Sequence, residues 1–379
     1  MKKLLCMLLA IVMLLAVASF ATAEEANYKI AILTGTTSQG EEEVTAATKL
    51  VEANPGKVLH DTYPDNFSSE VETTISKLIA FASDPEVKCI IFVQGVQGAT
   101  SAFTQIKESL GRDDILLVAG VPAEDPADIS AAADIVLAVD EIGCGYQVAD
   151  KAAEWGCDVI VHYSFARHLS YETIIAKRDA MKMTAETYGI EFVERDCPDP
   201  TGDAGMSGAQ AAVLEDVPKV MEEYAGKKIC FYCTNCGIQV ALQQAVLNAG
   251  ADAYYALPCC PSPFHAYQEA FGLEATYGDV EGAIVNLANF LDGVDAAERF
   301  SSWAIPVNMS MINAAYEYGC AWAEGKLESK IDEAFLTECF SNAAGGEAVL
   351  GKYTNADGSV CENYYLIQFD PINFADYVG

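Results

Sequence analysis

The sequence predicts an α/β protein made of two Rossmann-like, doubly wound lobes built on parallel sheets. Short, continuously apolar runs recur along the chain, they alternate with amphipathic helical stretches, and the whole series restarts after about residue 140. A parallel sheet is covered by helices on both faces, so its strands are apolar on both sides and do not alternate. Two successive series of similar size therefore imply two such sheets.

The first series opens with a strand over Tyr28–Leu33 and a turn through Gly35 and Gly40, then a helix with Val44, Ala47 and Val51 on one face. Lys57–Tyr63 is the second strand. The next helix opens with Ser69 and Glu72, spaced as a capping box, and buries Val71, Ile75, Leu78 and Ile79. Cys89–Val93, Ile115–Val121 and Ile135–Val139 are the next strands. A helix around Tyr146–Trp155 starts the second series, followed by the strand Asp158–Tyr163 and a helix N-capped by Ser170. Ile190–Glu194, Lys228–Tyr232 and Ala253–Leu257 are further strands. Between them lie a helix carrying Val213, Val217 and Val220 and another carrying Ile238, Leu242 and Val246, which Gly250 closes.

These elements divide the chain into a leader over 1–23, an N-terminal lobe over 24–142 and a C-terminal lobe over 143–263. Part of 264–330 returns to complete the first lobe, with Ser302–Val307 as a strand available to its sheet. A tail over 331–379 packs on the lobes or the hinge.

The leader reading rests on Lys2 and Lys3, the apolar stretch Leu4–Ala18 and the small-x-small site Ala21-Thr22-Ala23. It implies an exported, soluble protein, periplasmic or extracellular. Lipidation would need a cysteine directly after that site, where Glu24 stands, and Cys6 lies too early. The formal net charge of −33 would repel nucleic acid and anionic membrane surfaces, so neither is an expected partner. Thirteen cysteines leave twelve after the leader, an even number compatible with disulfides or with buried thiols such as Cys89 and Cys230.

Three stretches of the second series, His162-Tyr163-Ser164-Phe165-Ala166-Arg167-His168, Asp199-Pro200-Thr201-Gly202-Asp203-Ala204-Gly205 and Pro258-Cys259-Cys260-Pro261-Ser262-Pro263, join Cys233-Thr234-Asn235-Cys236 in a pattern that resembles an uncharacterised bacterial family. That family resembles type I periplasmic binding proteins and is distantly similar to basic membrane lipoproteins that bind nucleosides. The resemblance implies a nucleoside-like ligand, and its lipoprotein members differ from this chain in carrying the lipobox cysteine.

In open α/β sheets a ligand lies beyond the carboxyl ends of the strands. The polar residues that follow the predicted strands are therefore the candidates: Thr36, Thr37, Ser38, Gln94 and Gln97 in the first lobe, and Tyr163, Ser164, Arg167, Thr234, Asn235, Gln239 and Cys259 in the second. Hydroxyls and amides suit a neutral sugar or nucleoside, and Arg167 could fork onto a carboxylate or diol. Each has a plainer role available: a turn at Thr36–Ser38, a cap at Asn235, an ion pair at Arg167. The Gly35–Gly40 turn would suit a phosphate, but Glu41-Glu42-Glu43 already occupy that helix end. The spacing of Cys230, Cys233 and Cys236 raises a metal, with Cys259 and Cys260 as further ligands, but the predicted positions do not converge. Asp199 and Asp203 only loosely resemble a calcium loop.

No nucleophile elbow, P-loop or zinc-protease helix is present, and Cys259 with His265 lacks a third orienting group. The reading is therefore a non-catalytic, monomeric solute-binding protein without cofactor, serving permease subunits of an ABC-type transporter or a membrane sensor. The alternative is an exported thiol-dependent enzyme or metalloprotein using Cys233, Cys236 and Cys259.

Overall fold

The computed structural model describes residues 28–379 except 201, 261, 265, 275–278, 345–347 and 356, and the side chains of residues 38 and 39 are likewise undescribed. The leader expected over 1–23, Cys6, Thr201, Pro261, His265 and the Ser38 side chain thus lie outside the described residues.

Strands and helices alternate as β1 (Lys29–Thr34), α1 (Thr37–Ala53), β2 (Val58–Thr62), α2 (Val71–Ser83), β3 (Val87–Val93), α3 (Ala99–Glu108), β4 (Leu116–Gly120), α4 (Pro126–Ala132) and β5 (Ile135–Val139). The second series is α5 (Glu141–Glu154), β6 (Val159–Ser164), α6 (Glu172–Thr187), β7 (Glu191–Asp196), α7 (Gly205–Glu223), β8 (Ile229–Cys233), α8 (Cys236–Ala249) and β9 (Ala253–Tyr255). There follow α9 (Tyr267–Phe271), α10 (Val280–Gly293), β10 (Ser301–Trp303), α11 (Val307–Ala323), α12 (Glu333–Ala344), β11 (Val349–Thr354), β12 (Val360–Gln368) and β13 (Pro371–Asn373).

Two sheets organise these elements, in the orders β11-β12-β5-β4-β3-β1-β2 and β7-β6-β8-β9. Every pairing within them is parallel except β11 with β12, an antiparallel edge. Both orders reverse direction beside the first strand of their series, between β1 and β3 and between β6 and β8. Such switch points open a crevice at the carboxyl ends of the strands.

The unbroken apolar strands have a simple cause. In β1, Ile30 and Ile32 enter one core while Ala31 and Leu33 enter another on the opposite face, and β8 divides Cys230 and Tyr232 from Ile229, Phe231 and Cys233 in the same way. Side chains two apart share a face, so burial on both faces makes every position apolar. One core runs from the α1, α11 and α12 face of the first sheet, through α5 and α6, to the facing side of the second. Cys89 and Cys230 sit fully buried in it.

Three local expectations are corrected. Ser69 and Glu72 form no capping box: α2 begins at Val71, its N-cap is Glu70, and the Ser69 hydroxyl donates to the Asn66 carbonyl. Ser170 does not cap α6, because it closes a 3-10 turn and its hydroxyl donates to the Arg167 carbonyl. In both cases the hydroxyl is turned back onto a preceding carbonyl and the N-cap position falls to the next residue. The strand expected at Ser302–Val307 does not join the first sheet. Ser301–Trp303 pairs antiparallel with Pro371–Asn373, and Val307 starts α11. It is β12 that extends the first sheet, with Tyr364 opposite Val136 and Ile367 opposite Val139 in parallel register.

Where α5 crosses α6, the chain needs a residue without a side chain. A Cβ at Gly145 would collide with the Lys177 carbonyl oxygen and lie 3.2 Å from the Ala180 Cβ. Gly145→Ala is therefore expected to force the helices apart and cost about 1–3 kcal/mol, read as a lower urea midpoint at unchanged slope.

Candidate functional site

The two switch points differ in what they leave open. In the first lobe, Thr36 is the N-cap residue of α1, but its hydroxyl donates to the Asp65 carboxylate instead of capping the helix. Thr37 and Gly40, one turn on, line a cavity of about 430 Å3 between the lobes, together with Glu41, Glu42, Glu43 and Gln94. The opposite wall is formed by Cys236, Gly237 and Val240 of α8 and by the loop carrying Cys260 and Ser262. That volume falls in the range of small-molecule sites, roughly 300–1,000 Å3.

Gln94 follows β3 with a φ of 55°, a left-handed conformation that a side-chain-bearing residue holds only when its surroundings enforce it. Its amide nitrogen donates to Glu43 Oε1 at 2.7 Å, and Tyr63 donates to its amide oxygen at 3.4 Å. Glu43 is 2% exposed and also accepts from the Asn308 amide of α11. A Cβ at Gly40 would strike the Glu43 carboxylate, so a larger residue there would displace that side chain from its present position. Ser262 of the far wall donates to Glu42 Oε1 across the cleft, and burial pushes the Glu42 carboxyl up to about 8.

The second lobe satisfies its own polar groups at the end of β6. Ser164 and Thr234 share a buried hydroxyl–hydroxyl hydrogen bond of 2.8 Å. His168 Nδ1 lies 3.2 Å from Thr234 Oγ1, its Nε2 lies 3.3 Å from the Asn235 amide, and its ring packs on Phe165. Burial lowers the affinity of His168 for a proton. Arg167 grips Asp199 with two hydrogen bonds of 2.7 and 2.9 Å and lies over the Phe165 ring. Tyr163 donates at 3.0 Å to Asp216, on the face of the sheet away from the first lobe. His162 is stacked between Phe192 and Tyr232 in the core, where burial pushes its pKa down to about 3.

The candidates thus separate. Thr37 and Gln94 line the cavity; Gln97 is exposed on the loop before α3 and is not among its lining residues. Ser164, Arg167, Thr234 and Asn235 meet one another around His168 and Asp199, and Asn235 also caps α8 by accepting from the Gly237 amide at 2.9 Å. Gln239 is fully buried and accepts from the Cys259 amide at 2.6 Å. Glu42, Glu43, Ser262 and Asn308 were not candidates. The only hint was the Glu41-Glu42-Glu43 run beside a glycine, which composition alone makes look like an ordinary solvated helix start.

Three of the cysteines, Cys236, Cys259 and Cys260, do converge, contrary to what their predicted positions suggest, while Cys230 and Cys233 are not part of that group. Cys236 and Cys260 are joined in a disulfide, and Cys259 Sγ lies 3.6 Å from Cys236 Sγ and 3.9 Å from Cys260 Sγ. The reason is the loop after β9. Gln239 holds the Cys259 amide, and the Trp303 indole donates to the Pro258 carbonyl at 3.0 Å, folding the loop over the first turn of α8. Cys233 sits beneath, fully buried, and burial raises its thiol well above the usual range.

Among the described residues no helix is long and apolar enough to cross a membrane. The family model described as "Protein of unknown function (DUF3798)" matches residues 28–301. An uncharacterized protein of Treponema pallidum (strain Nichols) is 36% identical over 183 residues, 46% of this chain and 82% of that protein. A second from the same strain is 35% identical over 178 residues, 46% of this chain and 79% of that protein. Among solved structures, a "Putative transcriptional regulator" from Clostridium difficile 630 superposes with a TM-score of 0.79 at 19% identity, covering 91% of this chain and 99% of that one. An ABC transporter periplasmic solute binding protein from Actinobacillus succinogenes 130z, with bound D-allose, superposes with a TM-score of 0.52 at 13% identity, covering 82% and 99%. At these identities the likeness is one of fold, that of type I periplasmic binding proteins.

Proposed function

The chain belongs to the family described as Protein of unknown function (DUF3798), and from that premise we propose that it is an exported solute-binding protein that captures a small, hydroxyl-rich molecule between its lobes for an ABC-type transporter. The observation that carries this reading is the cavity of about 430 Å3 at the β1/β3 switch point, roofed by the second lobe. Closing two lobes over a solute is the motion by which such proteins signal occupancy, and the Glu42–Ser262 hydrogen bond is a contact that closure would make. The solute-binding protein from A. succinogenes supports the reading through its shared fold.

The lining favours a donor-rich solute. Carboxylates at Glu41 and Glu43 accept hydrogen bonds and disfavour anions, while the protonated Glu42 carboxyl and the Gln94 and Asn308 amides can both donate and accept. Sugar hydroxyls, or the ribose of a nucleoside, meet that demand; a phosphorylated solute does not. In this reading the chain crosses to the second lobe near residues 140–145, and the solute is handed to permease subunits of the transporter.

A thermal-shift screen of sugars, nucleosides, amino acids and short peptides tests it. A true solute at a hundred times its dissociation constant should add about 2.7 kcal/mol of stability. Gln94→Ala and Asn308→Ala should each weaken that solute at least tenfold. Unaltered affinity in both variants would remove the cavity as the site.

A further inference from the structure

Beyond the solute reading, we propose that Cys236, Cys259 and Cys260, when reduced, form a binding site for one thiophilic d10 metal ion, of which zinc(II) is the type, set in the wall of the cleft. Three observations carry it. Sulfurs of all three residues lie within 4.8 Å of one another. The separations that involve Cys259, 3.6 and 3.9 Å, match the edge of a tetrahedron of sulfurs about 2.3 Å from a central zinc, which is about 3.8 Å. The Cα atoms of Cys236 and Cys260 stand 6.9 Å apart, just beyond the roughly 4.4–6.8 Å usual for a disulfide, a spacing that two thiolates sharing an ion also satisfy. A [4Fe–4S] cluster, whose irons each take a separate thiolate, needs its cysteine sulfurs spread more widely than this group allows, and a [2Fe–2S] cluster takes four thiolates where this group offers three.

The site is built, not accidental. Gln239 and Trp303 hold the loop that carries Cys259 and Cys260, and Asn235 caps the helix that presents Cys236. Cys236 and Cys260 line the cavity while Cys259 is buried behind them. Three protein sulfurs therefore leave a fourth coordination position on the cavity side, the arrangement of an open metal site. The disulfide makes the site conditional on redox state. A dithiol reductant gives two electrons and two protons to the Cys236–Cys260 bond and becomes a cyclic disulfide itself. Each of the three thiols then releases its proton to water as its sulfur ligates the ion.

The test uses the full chain, treated with a dithiol and desalted without oxygen, then titrated with zinc against a competing chelator, with metal counted by mass spectrometry. Cadmium serves as a second probe through its thiolate charge-transfer absorption. The expected result is one ion per chain in the reduced protein and none with the disulfide intact. Cys259→Ser and Cys236→Ser should each weaken binding at least a hundredfold, while Cys320→Ser, a half-buried thiol in α11, should leave it unchanged. Circular dichroism identifies any variant that fails to fold, and the other one then decides. Zinc binding in the reduced parent no tighter than in the Cys236/Cys259/Cys260 triple serine variant would overturn the proposal, as would full binding in both single variants. Neither outcome bears on the sugar and nucleoside screen, so the two readings stand or fall separately.

Discussion

Arg299→Met should lower the stability of the protein by about 3–5 kcal/mol, the loss expected when several buried polar groups lose one charged partner together. Arg299 is 7% exposed and its guanidinium donates to three carbonyls: Val246 at 3.1 Å, Leu247 at 3.0 Å and Ala253 at 3.0 Å. Two of these belong to the last turn of α8, whose final carbonyls have no partner within the helix. The third belongs to β9, so one side chain ties a helix end, a strand and the segment leading to β10. Methionine fills similar volume and still packs against Phe300, which Arg299 now covers, but it leaves all three acceptors dry. Lysine should recover only part of the loss, since a single ammonium cannot reproduce the planar fork. Urea unfolding followed by circular dichroism measures the difference, and a loss under 1 kcal/mol would mean that water replaces the guanidinium.

The second large effect is one of pH. Burial holds the Glu42 carboxyl near 8, against an ordinary value of 4.5. A carboxyl whose pKa is raised on folding prefers the folded state when protonated. Its contribution is thus fully present below about pH 4.5 and is lost as pH climbs through 8. On this basis the parent should lose on the order of 3 kcal/mol between pH 5 and pH 9 through this one group. Glu42→Gln, neutral throughout, should remove that part of the slope and be the more stable protein at pH 9, with little difference at pH 5. Parallel stability curves for parent and variant across that range would show that Glu42 titrates like an exposed glutamate. At neutral pH the protonated Glu42 is also a donor toward the cavity, so the solute should bind more weakly above pH 8 than at pH 7.

The alternation of strands and helices was legible because burial on both faces of a parallel sheet writes itself into the composition of each strand, as in Cys89–Val93 and Ile135–Val139. Where a hydroxyl could either accept from a helix-start amide or donate to a preceding carbonyl, the sequence misled: Ser69 and Ser170 donate to preceding carbonyls and do not form the caps their spacing suggested. Long-range pairing was also hidden. Nothing local distinguishes Ser302–Val307, which left the first sheet, from Val360–Gln368, which joined it; the partner decides, and the partner is distant.

At the site the same limit applies. Rules about strand ends picked out Thr37 and Gln94, which line the cavity, because the switch point is a property of topology. They could not find Asn308, which reaches Glu43 from a helix 265 residues away. Nor could they tell that Arg167 would be consumed by Asp199, since a bidentate ion pair and a ligand clamp use the same side chain. Cys259 and Cys260 were visible as residues, but their meeting with Cys236 depends on Gln239 and Trp303 folding one loop.

The late position of β12 has a consequence for synthesis. Until Tyr364–Ile367 leaves the ribosome, β5 has β4 on one side and a bare row of amides and carbonyls on the other. An unfinished chain therefore carries an adhesive margin through the making of more than half its length, with Leu137 and Val139 at that margin ready to recruit a neighbouring nascent chain. A chain truncated before residue 360 should therefore aggregate where the full one stays dispersed.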